Sequence, residues 1–307
     1  MQLIRQLPTD APHPTAVAIG NFDGLHRGHQ AVIAAMVAAA AERQVVPGVL
    51  TFEPHPRRFF MKQVPAFRIE RLATKLHRLE KAGVAQVAMP RFNAAFAGVE
   101  AQDFLDHVLA RQLGAQVVVT GEDFAFGKQR GGDAAMLKAW GAARGVQIIT
   151  VPGVMVDGVA CSSSAARMAI AAGDMAQARK IFGRDYALTG RVVHGDGRGA
   201  GMGFATANVA LPTNLQLPAH GVYAVRARLG EMTYDAVANF GRRPTVGAAL
   251  RPSLEVHLFD FSASIYGAVM EVAFVEKIRD EVKFESLAAL TAQIARDGEA
   301  ARKLLAG

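Results

Sequence analysis

GNFDGLHRGHQ, from Gly20 to Gln30, decides how this chain is read. It continues TAVAIG (Thr15 to Gly20), a short buried β-type run, and leads into AVIAAMVAAAA (Ala31 to Ala41), an alanine-rich series of strong helix formers. Strand, glycine turn and helix in that order place His26 and His29 near a helix N-terminus, sharing one helical face. That end carries unpaired backbone N–H groups and a partial positive charge, so it suits a polyphosphate. Gly24 and Gly28 let the main chain approach such a ligand closely. Imidazole N–H groups then supply donors for charge developing at phosphorus. A His-x-Gly-His tetrad also arises by chance, binds a metal or caps a helix; its setting favours nucleotide chemistry.

Outward from this turn, β-type runs alternate with helical stretches as far as about residue 152. The runs are TAVAIG, VPGVLTFE (Val46 to Glu53), VAQVAM (Val84 to Met89), QVVVTG (Gln116 to Gly121) and VQIITV (Val146 to Val151). Helical segments lie around Ala31–Arg43, Arg68–Ala82, Ala101–Leu113 and Ala134–Arg144. Alternation of this kind predicts a parallel sheet covered by helices, a Rossmann-like α/β domain. Ligands of such sheets collect at strand carboxyl ends near a topological switch point, where the histidine turn falls. After about residue 185 the pattern changes. ALTGRVV, ATANVAL, GVYAVRARL, MTYDAVANF, SLEVHLFD and AVMEVAFVE are short runs separated by glycine, proline and asparagine, which predicts an antiparallel sandwich or barrel. A closing segment, Lys283 to Leu305, reads as helix. The boundary is placed in GRDYALTG (Gly183 to Gly190), giving domains 1–185 and 186–307.

The 307 residues fit two domains better than one core, and half of them are apolar, so burial is not limiting. Cys161 is the single cysteine, which excludes an intrachain disulfide and suits a reducing compartment. The first residues lack the apolar core of a signal peptide, and the longest apolar run, Ala31 to Ala41, is too short to span a bilayer. The expectation is a cytoplasmic chain without a membrane partner. A net charge of +7 raises an anionic partner. Yet the cations are scattered, in short groups at Arg57–Arg58, Arg68–Arg78 and Arg242–Arg243, with no interleaved aromatics to mark a nucleic-acid groove. Nucleic acid and phosphorylated small molecules are the two anionic candidates, and most of the charge reads as solvated faces, so no nucleic-acid partner is expected from it; oligomeric state is not legible.

Four further segments accompany the histidine turn. TFEPHPRRFF (Thr51 to Phe60) reads as a proline-stiffened loop offering His55, Arg57 and an aromatic pair. VTGEDFAFGKQRGGD (Val119 to Asp133) sets Asp123, Phe124 and Phe126 beside glycines, an arrangement suited to a planar heterocycle as well as to a core. FNAAFAGVEAQDFL (Phe92 to Leu105) reads as loop and helix packing. CSSSAARMAI (Cys161 to Ile170) brings hydroxyls and Arg167 to a helix start, as a phosphate grip or a plain cap would. GDGRGA (Gly195 to Ala200) imitates a dinucleotide fingerprint, but no βαβ context follows, and no Walker A sequence, Gly-x-Ser-x-Gly elbow or paired-cysteine zinc spacing occurs.

In order along nearly the whole chain, GNFDGLHRGHQ, TFEPHPRRFF, GEDFAFGKQRGGD, CSSSAAR, VVHGDGRGAGMGFATANVALP, GVYAV, NFGRRPT and LEVHLFDF resemble the prokaryotic bifunctional riboflavin kinase/FMN adenylyltransferases, the FAD synthetases. The resemblance implies a nucleotidyltransferase domain that moves AMP from ATP to the phosphate of FMN, followed by a β-barrel that phosphorylates riboflavin. In the first, His26 and His29 are implied as catalytic, with Gly20, Asn21, Phe22, Asp23, Gly24 and Gly28 framing ATP. Ser163, Ser164 and Arg167 would grip its phosphates, with serine in the family's threonine place and Ala166 in that of isoleucine. Asp123, Phe124 and Phe126 would border the flavin ring. In the second, Glu255 is implied as the base that takes the ribityl hydroxyl proton. Strand alternation agrees, since Leu254, Val256 and Leu258 share one face and leave Glu255 with His257 on the other. Thr206 and Asn208 would hold Mg²⁺, a hard cation suited by oxygen ligands. His194, Gly195, Asp196 and Arg198 would cover the nucleotide, and Arg279 would close on flavin. One departure is Ala205, where the family has proline, so no ring fixes the backbone ahead of Thr206. Three rivals stay open: an adenylyltransferase whose kinase is weakened or lost through Ala205, another nucleotidyltransferase of the same superfamily acting on a different phosphorylated acceptor, and a flavin- or nucleic-acid-binding protein without catalysis.

Overall fold

The computed structural model of the chain describes residues 1–61, 66–194, 206–243 and 251–306, with residues 242, 243 and 251 as backbone only. Contacts divide it into two units, Met1–Pro65 with Leu72–Ser163, and Ala66–Arg71 with Ser164–Gly307. In the first, β1 (Gln2–Ile4), β2 (Thr15–Ile19), β3 (Val46–Leu50), β4 (Gln86–Ala88), β5 (Ala115–Gly121) and β6 (Gln147–Val151) form one sheet ordered β1-β4-β3-β2-β5-β6. All its pairings are parallel. Residues of β2 explain why: Ala16 and Ala18 enter one apolar cluster while Val17 and Ile19 enter another, so both faces demand a helical cover.

One face is covered by α1 (Arg27–Arg43) through Val32, Ile33 and Met36, and by Leu79 of α3 (Leu72–Lys81). On the other pack Leu137 and Trp140 of α6 (Ala134–Arg144) and Phe104, Leu105, Val108 and Leu109 of a nine-residue π-helix, Phe104–Gln112. Short helices α2 (Pro56–Phe60), α4 (Ala94–Ala97) and α5 (Ala101–Asp103) punctuate the loops, and a hairpin of β7 (Met155–Val156) and β8 (Val159–Ala160) follows β6. From β2 the chain builds β3 and β4 to one side and β5 and β6 to the other. The switch point therefore lies beside the end of β2, where the histidine turn begins.

All five expected strands are present, and β1 is an addition that pairs only with β4. Two local expectations need correcting. The stretch read as a proline loop contains α2, with Pro56 in its first turn where no N–H is needed and His55 Nδ1 accepting from the Arg57 N–H. The helix expected over residues 101–113 winds mostly as π-helix, which the apolar pattern does not distinguish from α.

The second unit begins with α7 (Ser163–Ala172) beyond its first residue and α8 (Met175–Phe182), followed by β9 (Tyr186–Val193), β10 (Ala207–Ala210), β11 (Gly221–Leu229), β12 (Met232–Arg243), β13 (Arg251–Leu258) and β14 (Val269–Arg279). These six strands close into a barrel ordered β10-β13-β12-β11-β14-β9, so the barrel, not the sandwich, is the outcome. Leu254, Val256 and Leu258 of β13 are buried, as the alternation required. β11 departs from alternation because both its faces are covered. Tyr223, Val225 and Ala227 are fully buried, while Val222 and Ala224 pack against Ala301 and Leu305 of the C-terminal helix α9 (Leu287–Leu305). Burial pushes the Tyr223 phenol far up, which keeps it protonated to donate to the Ala219 carbonyl at 2.5 Å. The segment Ala66–Arg71 joins this unit by main-chain bonds between Arg68 and both Asn214 and Gln216.

Candidate active sites

The turn from Gly20 to His26 leaves β2 along an unusual path. Phe22 and Leu25 hold φ of 48° and 42°, in the left-handed region, with Gly24 at 84° between them. The path ends with His26 as N-cap of α1, its Nδ1 accepting from the His29 N–H at 3.3 Å. α1 thus starts ahead of the alanine run, and His26 lies outside the helix while His29 occupies its first turn. The two rings still meet, stacked with centroids 3.6 Å apart, and Phe22 packs edge-on to His29 at 5.1 Å. Because Nδ1 of His26 is an acceptor, the proton of its neutral ring resides on Nε2. Helix cap and phosphate donor are therefore compatible roles for one imidazole.

Gly28 is required by packing: a Cβ there would lie 2.8 Å from the Cys161 carbonyl oxygen and 3.1 Å from His26 Nδ1. Asp23 is buried, and its main-chain oxygen accepts from the Ser163 hydroxyl at 3.2 Å, tying the start of α7 to the turn. Ser164 is exposed and, like Arg167, falls in the second unit. There Arg167 Nε donates to the Phe67 carbonyl at 2.7 Å and its guanidinium stacks over the Phe67 ring at 5.5 Å.

Gly20 and Asn21 also line a cavity of about 620 Å³ whose other walls include Phe52, Phe60, Phe92, Phe96, Phe124 and Phe126. Asp123 and Arg130 are its only charged members among the described residues. Phe124 and Phe126 lie nearly parallel, 5.4 Å apart, opposite a cluster in which Phe92 meets Phe52 at 5.6 Å and Phe60 at 5.7 Å. Flat aromatic walls of this size suit a planar tricyclic ring better than a sugar. The expected Asp123, Phe124 and Phe126 are all there. Phe92 and Phe96, read as packing, belong to the cavity too, and sequence gives no means of telling a lining aromatic from a core one.

In the barrel, Glu255 and Arg279 line a second cavity of about 330 Å³ with Thr206, Asn239, His257, Phe284 and Asp297. Register sets Glu255 directly between Asn208 on β10 and Asn239 on β12. Asn208 Oδ1 is buried and has no hydrogen-bond partner among the described residues, which fits a side chain whose oxygen serves a cation. Arg279 forms a two-pronged pair with buried Asp297 at 2.9 and 2.6 Å, and Gln293 donates to the same carboxylate at 2.9 Å. A further hollow of about 230 Å³ shares Thr206 and is lined by Ser262, Ser264 and Tyr266, and His194 stacks on Tyr266 at 3.8 Å. Gly195, Asp196, Arg198 and Ala205 lie outside the described residues. Asn239 opens NFGRRPT but has no role assigned from sequence, and Asp297 lies in none of the quoted motifs; strand register and helix packing bring the two in.

These groups can bind phosphates, orient a flavin and take a proton. Burial pushes the Cys161 thiol up, outweighing the pull of Arg27, so a thiolate is disfavoured.

Comparison with known proteins agrees with both halves. The FAD synthetase family model matches residues 9–165 and the riboflavin kinase family model matches residues 182–305. The chain is 41% identical to the bifunctional riboflavin kinase/FMN adenylyltransferase of Escherichia coli strain K12, across 99% of this chain and 97% of that protein. Identity to the protein of the same name from Haemophilus influenzae is 42%, across 98% of each. Among solved structures, one titled a macrolide-efflux protein from Streptococcus pneumoniae superposes with a TM-score of 0.90 at 30% identity, covering 98% of this chain and 99% of that one. No helix among the described residues here is long and apolar enough to cross a membrane. With both family models matched in order and identity sustained end to end, the chain belongs to the family of bifunctional riboflavin kinase/FMN adenylyltransferases.

Proposed function

We infer that this chain makes FAD from riboflavin in two ATP-dependent steps, one in each unit. In the barrel, Glu255 takes the proton of the ribityl 5′-hydroxyl, whose oxygen attacks the γ-phosphorus of ATP; ADP leaves and FMN forms. Arg279, held by Asp297, and Phe284 border the flavin, while Thr206, lining both hollows, stands between flavin and nucleotide. Thr206 and Asn208 would hold Mg²⁺, which neutralises charge on the transferred phosphoryl group. The loop residues Gly195, Asp196 and Arg198, with His194, would cover that nucleotide.

In the first unit, a phosphate oxygen of FMN attacks the α-phosphorus of ATP, the bond to the β-phosphate breaks, and pyrophosphate leaves. The nucleophile belongs to the substrate, so the protein need only position and stabilise. His26 donates from Nε2 and His29 stands beside it, with Gly20, Asn21, Phe22, Asp23, Gly24, Gly28 and Ser163 framing the nucleotide. Asp123, Phe124, Phe126, Phe60 and Phe92 border the isoalloxazine. Small molecules are the partners in this reading, and a cytoplasm rich in ATP is its setting.

The observation that carries the reading is the stacked histidine pair at the switch point, on a turn whose first residues wall an aromatic cavity. Incubation of the purified chain with riboflavin, ATP and Mg²⁺, followed by chromatography, should yield FMN and then FAD. Neither product would refute the proposal, and FAD from supplied FMN but not from riboflavin would refute its kinase half.

A further inference from the structure

Lys75 is among the few charged residues the fold buries, at 3% exposure, although α3 carries none of the motifs discussed above. Its ammonium donates to the Asn21 carbonyl at 3.2 Å and to the Thr51 hydroxyl at 3.1 Å. The Thr51 hydroxyl donates in turn to that same carbonyl at 3.2 Å. Asn21 and Thr51 follow the carboxyl ends of neighbouring strands β2 and β3, so the three groups form a closed triangle across the mouth of the sheet.

Three observations point beyond packing. Asn21 is the residue directly ahead of Phe22, where the backbone enters its left-handed stretch. Such conformations persist only when their surroundings over-determine them. The same turn ends at His26 and contributes Gly20 and Asn21 to the aromatic cavity wall. An apolar side chain would fill the space with no charge to desolvate, yet this position holds an ammonium whose named acceptors both lie at the strand ends.

We propose that Lys75 is a positioning residue for adenylyl transfer: with Thr51 it clamps the Asn21 carbonyl and so fixes the strained turn that presents His26 and His29. The inference rests on the adenylyl-transfer reading above. It adds that the histidines work at full rate only while the clamp holds, since a shift of about an ångström can lower a rate about 10²-fold. Substrate affinity depends on the clamp far less, because neither Lys75 nor Thr51 lines the aromatic cavity.

The test uses the full chain with FMN, ATP and Mg²⁺. Lys75→Met, which keeps length and removes charge and donors, should lower kcat for FAD formation by about 10²-fold while KM for FMN stays within about threefold. Lys75→Arg, which restores a donor cation, should recover about tenfold of that loss, and Thr51→Val should lose about tenfold. Riboflavin phosphorylation by the same preparations should be unchanged, which reports folding from within the chain. A kcat for Lys75→Met within about twofold of the parent overturns the proposal, as does a change confined to KM. Should Lys75→Met not fold, Thr51→Val decides: an unchanged kcat for FAD formation overturns the clamp. Failure of the parent chain to make FAD, or full activity of His29→Ala, instead refutes the underlying reading.

Discussion

At the scale of single residues, the histidine turn leaves little room for change. Gly28→Ala would drive a methyl group against the Cys161 carbonyl and the His26 ring. We expect FAD formation from FMN to fall by about 10²-fold, with FMN formation from riboflavin intact. Both rates from one preparation check this. His29→Ala removes a donor from the α-phosphate and should cost about 10²- to 10³-fold in the same assay, again without touching the kinase. Glu255→Gln is the counterpart in the barrel: loss of the base should slow FMN formation by about 10²- to 10⁴-fold while supplied FMN is still adenylylated. The histidines were legible because a local pattern of strand, glycine turn and helix announces them, and Glu255 through the family resemblance, with which strand alternation agrees; by itself Glu255 reads as an ordinary solvent-facing carboxylate. Lys75, Asn239 and Phe92 were not. Lys75 reaches Asn21 from 54 positions away and Thr51 from 24, Asn239 becomes a neighbour of Glu255 only through strand register, and Phe92 looks like any core aromatic until the cavity beside it is seen.

At the scale of elements, burial governs what sequence can disclose. β2 is buried on both faces and reads as a continuous apolar run, while β13 is buried on one and shows the two-residue alternation. β1 has three residues and pairs with one neighbour, too little pattern to register. The π-helix repeats apolar residues much as an α-helix does, and its extra residue per turn leaves no mark in composition. Elements also couple where no motif speaks, as in the contact of β14 with α9. Asp297 on α9 holds Arg279 at the end of β14, and the carboxylate is buried. Removing one member of such a pair strands the other, so Asp297→Ala should destabilise the barrel by about 3 kcal/mol. It should also raise KM for riboflavin, because Arg279 loses its fixed position beside the cavity. Asp297→Asn keeps one acceptor oxygen but turns an amide N–H donor toward the other Arg279 N–H, so it should lose less of both than alanine does without restoring the pair. Thermal melting together with riboflavin titration checks the pair.

At the scale of the whole molecule, each of the two cavities is walled, among the described residues, by residues of one unit, and in the proposed reading FMN is product of the one and substrate of the other. Nothing in either constellation requires the second to be active. His29→Ala chains should therefore make FMN that they cannot adenylylate, and Glu255→Gln chains should adenylylate FMN that they cannot make. Mixed together with riboflavin, ATP and Mg²⁺, the two variants should restore FAD, with a lag that shortens as the Glu255→Gln chain is increased. The lag measures FMN crossing through solvent from one molecule to another. If the mixture accumulated FMN and formed no FAD, while each variant kept its remaining activity alone, FMN would have to pass within a single chain. The independence of the two sites would then be wrong, even with every residue assignment intact.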